Sequence, residues 1–278
     1  IPPVMEGNIA GYQELVGELL TSGTARHTKE QFDEQVDGLG AQLSASKDGV
    51  YAMSLKKNFP QVMDLVYEVV ASATFPPAEF EKARTRMLSE VQSRASDPDQ
   101  IADVVGQSLT FTKDHPYGEV VTEATLKNVT RKEVEQYYRH FFQPKQGYLV
   151  LVGDITPQEG EAMANHYFGL WQGADAPAVA NAQGQLEVKD LGPIEPGMAT
   201  PPLPGNVRVA FVDRPGSAQS VIKVLFPVQL KPNDPMALQA QVLNTILGGG
   251  VFNARLMQNL REDKGYTYGA YSSRNADR

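Results

Sequence analysis

Cysteine is missing altogether from the 278 residues. That absence removes disulfides, thiolate zinc sites and cysteine nucleophiles together, while leaving the redox compartment open. Positive charge is scarce: 25 Lys and Arg stand against 33 Asp and Glu, giving a net charge of −8. An acidic surface repels phosphate backbones, so nucleic acid is not an expected partner. No apolar run approaches the roughly 20 residues that span a bilayer, so no transmembrane segment is expected. The chain opens "IPPVMEGN", with neither initiator Met nor signal peptide, as expected of a processed chain or an excised fragment.

Histidine is the next shortage. There are four, His27, His115, His140 and His166, and no two lie three to five residues apart. A helical zinc site needs two ligands on one face, usually four apart, plus a carboxylate. This chain has no such pair of histidines. His27 and His115 are expected in loops, and His140 and His166 as packing groups on helix sides. Serine chemistry also lacks its signature, because there is no G-x-S-x-G and "PGSAQS" has the character of a hairpin tip. "ILGGGVFN" follows a helix and lacks the Lys-Ser/Thr of a phosphate loop, so helix C-capping is its expected role.

What is present is ordinary globular composition, 41% hydrophobic and 21% charged, at a length that suits about two domains. The first helix is expected from about Gly11 to Leu20. Thr28 and Gln31 are spaced as a capping box for a second helix, with Phe32, Val36 and Leu39 on one face. "AQLSASKDGVYAMSL" reads as a β-hairpin turning at Lys47–Gly49. A helix carrying Val62, Leu65, Val66, Val69 and Val70 follows, and then a longer one entered through Pro76–Pro77. Asp97 is an N-cap for a third, and "VTRKEVEQYYRHFF" is a fourth. "GYLVLVGDI" reads as a buried strand, and the helix after it opens on a Thr156/Glu159 capping box.

Between Gly173 and Gly205 the composition turns to Pro, Ala and Gly without a sustained period, which is the character of an interdomain linker. The expected layout is therefore a domain over 1–172, a linker over 173–205 and a second domain over 206–278. In the last part, "NVRVAFVDRPGSAQSVIKVLFPV" gives two strands around a Pro-Gly turn. "DPMALQAQVLNTILGGG" and "FNARLMQNLREDKG" give helices, and "YTYGAYSS" gives a strand. The order of apolar helix, Gly, amphipathic helix, Gly and strand occurs in both halves, with Gly23 to Gly40 and Gly248 to Gly265 each 17 residues apart. An α/β unit used twice accounts for this, with the second copy shortened.

Two places carry candidate chemistry. In "ELVGELLTSGT", Glu14 and Glu18 share a helix face opposite the arc of Leu15, Val16, Leu19 and Leu20. Like charges four apart cost only about 0.2–0.5 kcal/mol on a solvated face, and the residues alone describe a wet surface. In "NLREDKGYTYGAYSS", Arg261 ends a helix and Tyr268 follows in the next strand. An Arg donates in a planar fork to carboxylates or carbonyls, and a Tyr hydroxyl donates to a developing oxyanion. The competing reading is an Arg that compensates the helix dipole beside a Tyr packed on a sheet.

The motifs "ILGGG…NARLMQNLREDKGYTYGAYSS", "LLTSGTARHTKEQFDEQVDGLGAQLSAS", "FPPAEFEKARTRMLSEVQSRASDPDQ" and "HPYGEVV…TLKNVTRKEVEQYYRHFFQPKQGYLVLVGDIT" together resemble the pitrilysin, insulinase and mitochondrial-processing-peptidase family of zinc metallopeptidases. The resemblance covers nearly the whole chain in the family's order. Active members carry an inverted His-x-x-Glu-His zinc motif at a fixed interval before the Gly-Thr. Counting back from Gly23–Thr24 places the two His positions on Glu14 and Glu18, the catalytic Glu on Gly17 and the third ligand on Glu90.

The resemblance therefore implies a non-catalytic half with no zinc of its own, the degenerate positions being Glu14, Gly17, Glu18 and Glu90. The family's Arg and Tyr, which contact substrate and support the transition state, carry onto Arg261 and Tyr268. The implied fold is α+β: two related α/β-sandwich domains with helices packed on antiparallel-rich sheets, the second domain truncated. Two halves close into a clamshell around an extended peptide. The implied partner is a catalytic half bearing zinc, either a separate subunit or part of the same longer polypeptide. The alternative is a scaffold or assembly protein that keeps the fold without proteolysis. An independent metallopeptidase built on Glu14, Glu18 and Glu90 is disfavoured, because nothing at Gly17 activates a water.

Overall fold

The computed structural model describes residues 4–144, 147–171, 173, 206–228, 230–231, 233–250 and 252–274. The described residues fall into two compact units, one of 4–173 with 206–225 and one of 226–274. In the first unit the central element is α1 (Tyr12–Leu19). Its apolar arc of Leu15, Val16 and Leu19 is fully buried, and so is Leu20 just beyond it. Fully burying side chains of this size contributes about 1.5–3 kcal/mol each.

Local signals in the sequence settle the element ends. α2 (Lys29–Gly38) begins at the predicted capping box, in which the Gln31 N–H donates to Thr28 Oγ1 and the Thr28 N–H donates to Gln31 Oε1. β1 (Gln42–Ser46) and β2 (Gly49–Met53) form the predicted hairpin, antiparallel, with Gln42 opposite Met53 and Ser46 opposite Gly49. α3 (Phe59–Ser72) buries Val62, Leu65, Val66 and Val69, while Val70 packs at the core margin. α4 (Pro77–Arg94) is entered through Pro76–Pro77 as expected. The Asp97 carboxylate caps α5 (Pro98–Phe111) by accepting the N–H groups of Asp99 and Gln100. α6 (Glu123–Asn128) is an addition to the expected elements, with Thr122 as its cap. α7 (Arg131–Phe141) and α8 (Pro157–Phe168) begin at the capping boxes of Thr130 and Thr156.

These elements share one core. Tyr12 on α1 meets Tyr137 on α7 edge-on at 5.8 Å, and Phe75 meets Tyr138 edge-on at 5.2 Å. A buried Tyr needs a partner for its hydroxyl. Tyr138 has several: its O–H donates to the Val70 carbonyl at 2.9 Å and accepts the Ala73 N–H at 3.1 Å. α7 is thereby fastened to the C-terminal end of α3.

Several expected strands have no ladder. Residues 147–155, expected as a buried strand, form no strand pairing among the described residues, and Tyr148 and Val152 are 88% and 93% exposed. The alternating segments at 206–213, 221–228 and 266–273 likewise carry no ladder among the described residues. Alternation specifies which face of a strand can be buried, but the strand itself needs a hydrogen-bonded neighbour. The antiparallel pair β1–β2 is the sheet among the described residues, and with the helices around it gives an α+β fold. The stretch read as an interdomain linker lies, apart from Gly173, outside the described residues.

The second unit contains α9 (Ala237–Asn244), which widens into a π turn over Thr245–Gly249. A second π-helical segment, Met257–Asp263, stands where an α-helix was expected. Met257 anchors it, being buried and accepting the Ala270 N–H on its sulfur at 3.3 Å. π turns are uncommon in helices and recur at functional sites.

Candidate functional site

The helix pair α1 and α4 carries the four positions matched to a zinc motif. Glu14 is exposed on α1, and Glu18 is half-buried one turn later. The Glu18 carboxylate is ion-paired with the Arg86 guanidinium of α4, which holds Arg86 protonated more firmly than usual. Although the residue as a whole is exposed, partial desolvation raises the Glu14 carboxyl above its ordinary value; the positive charge of Arg94 opposes this and the negative charge of Glu90 adds to it. Glu90 itself is exposed on α4. The pair of Arg86 and Glu18 is solvent-accessible, so its worth is below about 1 kcal/mol.

Gly17 lies on the buried side of α1, against the turn of the hairpin. A Cβ at this position would stand 3.0 Å from both the Lys47 backbone nitrogen and the Ser46 Cα, and 3.2 Å from the Ser46 carbonyl carbon. A side chain beginning there would be tight against backbone, which would have to give by a few tenths of an ångström to admit it. The zinc implied by the resemblance does not fit these residues. One carboxylate is held by a guanidinium, and the water-activating position is a glycine at which a Cβ would press on hairpin backbone. Among the described residues, no three His, Cys, Asp or Glu side chains converge as metal ligands.

The Gly23–Thr24 pair has a structural task here. Gly23 takes φ +154°, and Thr24 turns its hydroxyl onto the buried Glu68 of α3, donating to Oε2 at 2.9 Å. The same hydroxyl oxygen accepts the N–H groups of Arg26 and His27. His27 Nδ1 lies 2.8 Å from Glu68 Oε2, and Arg26 reaches Oε1 at 3.5 Å. A buried carboxylate is stable only when its oxygens are satisfied in this way. The loop after α1 is therefore pinned to α3. His115 lies in a loop stacked on Phe111 and His140 is half-buried on α7, as expected, whereas His166 is on α8 but exposed rather than packed.

A second acidic feature went unread in the sequence. Glu6 accepts the Gly11 N–H at 2.7 Å and the Gln13 side-chain amide at 2.9 Å, while Glu119 accepts the N–H groups of Glu6 and Gly7. The Glu6 carboxyl is pushed up to about 7, first by burial and then by the negative charges of Glu119 and Glu14, against the backbone hydrogen bonds from Gly11 and Gln13. Glu6 lies 113 residues from Glu119 in the chain, and local pattern carries no trace of such a pairing. Arg86 and Arg94 were more accessible to sequence reasoning. Each stands four residues from Glu90 on α4, a basic column that complements Glu14 and Glu18.

In the second unit, Arg261 lies within the π-helical segment, and its guanidinium rests over the Phe252 ring at 5.3 Å. Its Nε is 3.5 Å from Glu262 Oε1. The segment closes where the Gly265 N–H donates to the Arg261 carbonyl at 3.0 Å, and Tyr268 follows, 86% exposed. No hydrogen bond joins Tyr268 to Arg261. A Tyr packed on a sheet, the bland reading of this residue, is not what the exposure describes.

The family model for the "Peptidase M16 inactive domain" matches residues 128–278, and the model for "Insulinase (Peptidase family M16)" matches residues 6–116. The chain belongs to peptidase family M16. It is 25% identical over 272 residues to an uncharacterised zinc protease of Mycobacterium tuberculosis, covering 95% of this chain and 58% of that one. Against the uncharacterised zinc protease YmxG of Bacillus subtilis it is 23% identical, covering 95% of this chain and 60% of that one. The crystal structure of a peptidase M16 inactive domain from Pseudomonas fluorescens superposes with a TM-score of 0.71 at 20% identity, covering 99% of this chain and 64% of that one. A Helicobacter pylori protease superposes with the same TM-score, 0.71, at 17% identity, covering 97% of this chain and 64% of that one. The chain thus spans about three-fifths of the length of the relatives it matches. No helix among the described residues is long and apolar enough to cross a membrane.

Proposed function

We propose that this chain is a non-catalytic half of an M16 zinc metallopeptidase. It binds extended peptide and lends Arg261 and Tyr268 to a composite active site whose zinc belongs to a catalytic half. That half is a separate subunit or another part of a longer polypeptide. The domain layout of this proposal is 1–172 as the domain with the degenerate metal helix, 173–205 as linker, and 206–278 as the part that carries the Arg/Tyr pair. Peptide would be held partly by strand addition at a sheet edge.

The observation that carries this reading is the contrast in availability. Glu18 is engaged by Arg86 and Gly17 by the hairpin, whereas the Tyr268 hydroxyl is presented to solvent on an 86% exposed side chain. A guanidinium and an exposed phenol seven residues apart in the chain are the groups that suit hydrogen bonding to a peptide carbonyl and to the oxyanion that develops from it. The test is reconstitution with the zinc-bearing half. The isolated chain is expected to cleave nothing and the mixture to cleave peptide, with turnover reduced in Arg261→Ala and Tyr268→Phe. Full activity of the mixture with both variants would remove the assigned role. Isolation of the chain within a large assembly devoid of a His-x-x-Glu-His partner would favour the scaffold reading instead.

A further inference from the structure

We infer that the metal position of this chain has been rebuilt as a closed contact, so that histidines restored at positions 14 and 18 hold zinc about tenfold or more weakly while Arg86 is present, and restoring the whole motif disturbs the hairpin packed on Gly17. This goes beyond the loss of ligands that the sequence records: the surrounding structure has taken the space and the charge of the site. It concerns only the face between α1, α4 and the hairpin, and does not depend on the composite-site proposal.

Space is the first argument. The atoms that a Cβ at Gly17 would meet are backbone atoms of Ser46 and Lys47, which cannot swing aside as a side chain does. Nor is the hairpin turn free to retreat. The β1–β2 ladder is paired up to Ser46 and Gly49 on either side of it. The Tyr137 hydroxyl donates to the Lys47 carbonyl at 3.4 Å from α7, and Tyr137 is fully buried. The turn is thus held from its own ladder and from the core.

Charge is the second argument. A zinc ion brings two positive charges to its carboxylate and imidazole ligands. Here the positive charge on α1 comes from α4, where Arg86 pairs with Glu18. Arg94 on the same helix is fixed by donation to the Val121 carbonyl at 3.2 Å. Glu90 stands between the two arginines at four-residue spacing, so the one retained ligand position is flanked on its own helix by two cations. A guanidinium is always protonated and offers no lone pair to a metal. A metal arriving at histidines placed on α1 would therefore meet Arg86 as a like charge beside it.

The test uses the full chain. E14H/E18H and E14H/E18H/R86A, both retaining Gly17 and Glu90, are titrated with Zn²⁺ alone, with Co²⁺ absorption as a second reading of ligand geometry. Removal of Arg86 is expected to tighten metal binding about tenfold or more. Equal affinity in the two variants would overturn the charge argument. G17E/E14H/E18H, which restores the whole motif with Arg86 in place, is expected to lose hairpin protection and to take up no stoichiometric zinc. Stoichiometric zinc at unaltered stability would overturn the inference altogether. Gly17→Ala in the otherwise unchanged chain covers the case in which the histidine variants fail to fold. Faster amide exchange at Ser46–Lys47 and a lower denaturation midpoint are expected, and unaltered exchange and midpoint would overturn the space argument. None of these readouts involves turnover, so the outcome is separate from that of the Arg261 and Tyr268 test.

Discussion

The α1–α4 face and the Arg261 turn both carry polar and charged side chains, but they use them in opposite ways. On α1 and α4 the charges face one another: Glu18 is tied to Arg86, Glu14 is under the influence of Arg94, and Gly17 has the hairpin backbone against it. At the second place Arg261 lies over Phe252 with one long contact to Glu262, and Tyr268 extends into solvent. Polar groups satisfied within the fold contribute to stability and specificity of structure; polar groups left to water are available to a ligand. The difference locates the structural role on α1 and the proposed chemical role near the C-terminal end.

The largest expected effect breaks the comparison on the open side. With the zinc-bearing half supplied, Arg261→Ala or Tyr268→Phe is expected to lower turnover by about 10²-fold, as for loss of an oxyanion donor. Glu14→Gln and Glu18→Gln are expected to leave turnover within about twofold, because Glu14 is exposed and the Glu18–Arg86 pair is solvent-accessible and worth little. Steady-state kinetics on the four variants measures both halves of the contrast. Equal losses at all four positions would dissolve it.

The next effect belongs to the closed side and reads in stability. Glu68→Ala leaves the Thr24 hydroxyl and His27 Nδ1 without their buried acceptor. The cost is expected to be about 1–3 kcal/mol, seen as a lower midpoint in urea. Faster amide exchange is expected at Arg26 and His27, whose N–H groups rest on Thr24. No comparable loss is expected from Tyr268→Ala, which removes an exposed ring. If Tyr268→Ala destabilises the chain as much as Glu68→Ala, then the C-terminal turn is packed in solution and the contrast fails.

How much of this was legible beforehand follows from the range of each signal. The capping boxes of Thr28 and Thr156, the cap of Asp97, the Pro76–Pro77 entry and the hairpin turn at Lys47 were readable because each is set by residues within a few positions. The strand expected at 147–155 was not, because its apolar pattern says nothing about a neighbour to pair with. Positions Glu14, Gly17, Glu18 and Glu90 came from the family's motif spacing. That Glu18 has Arg86 for a partner, and Gly17 the turn at Ser46, are facts of helix packing and hairpin placement. The buried Glu68 belongs to the same class, being 44 residues from the threonine that it holds.

The smallest effect tests whether the closed side responds to pH while the open side does not. Glu6 has its carboxyl raised from 4.5 to about 7, chiefly by burial. A carboxyl raised in the folded state binds its proton more tightly there than in the unfolded chain. It therefore contributes stability that is fully present below about 4.5 and is lost as the pH rises through about 7. The segment from Glu6 to Ala10 is bound to the rest of the unit through Glu6 and Glu119, so its amides are expected to exchange more readily at pH 8 than at pH 6 after correction for intrinsic rates. Glu6→Gln keeps an acceptor for the Gly11 N–H but no longer ionises, and is expected to flatten that dependence. The amides of Gly265 and Tyr266, which close the Arg261 turn on backbone carbonyls, are expected to hold the same protection at both pH values. An unchanged pH response in Glu6→Gln would assign the titration to another group.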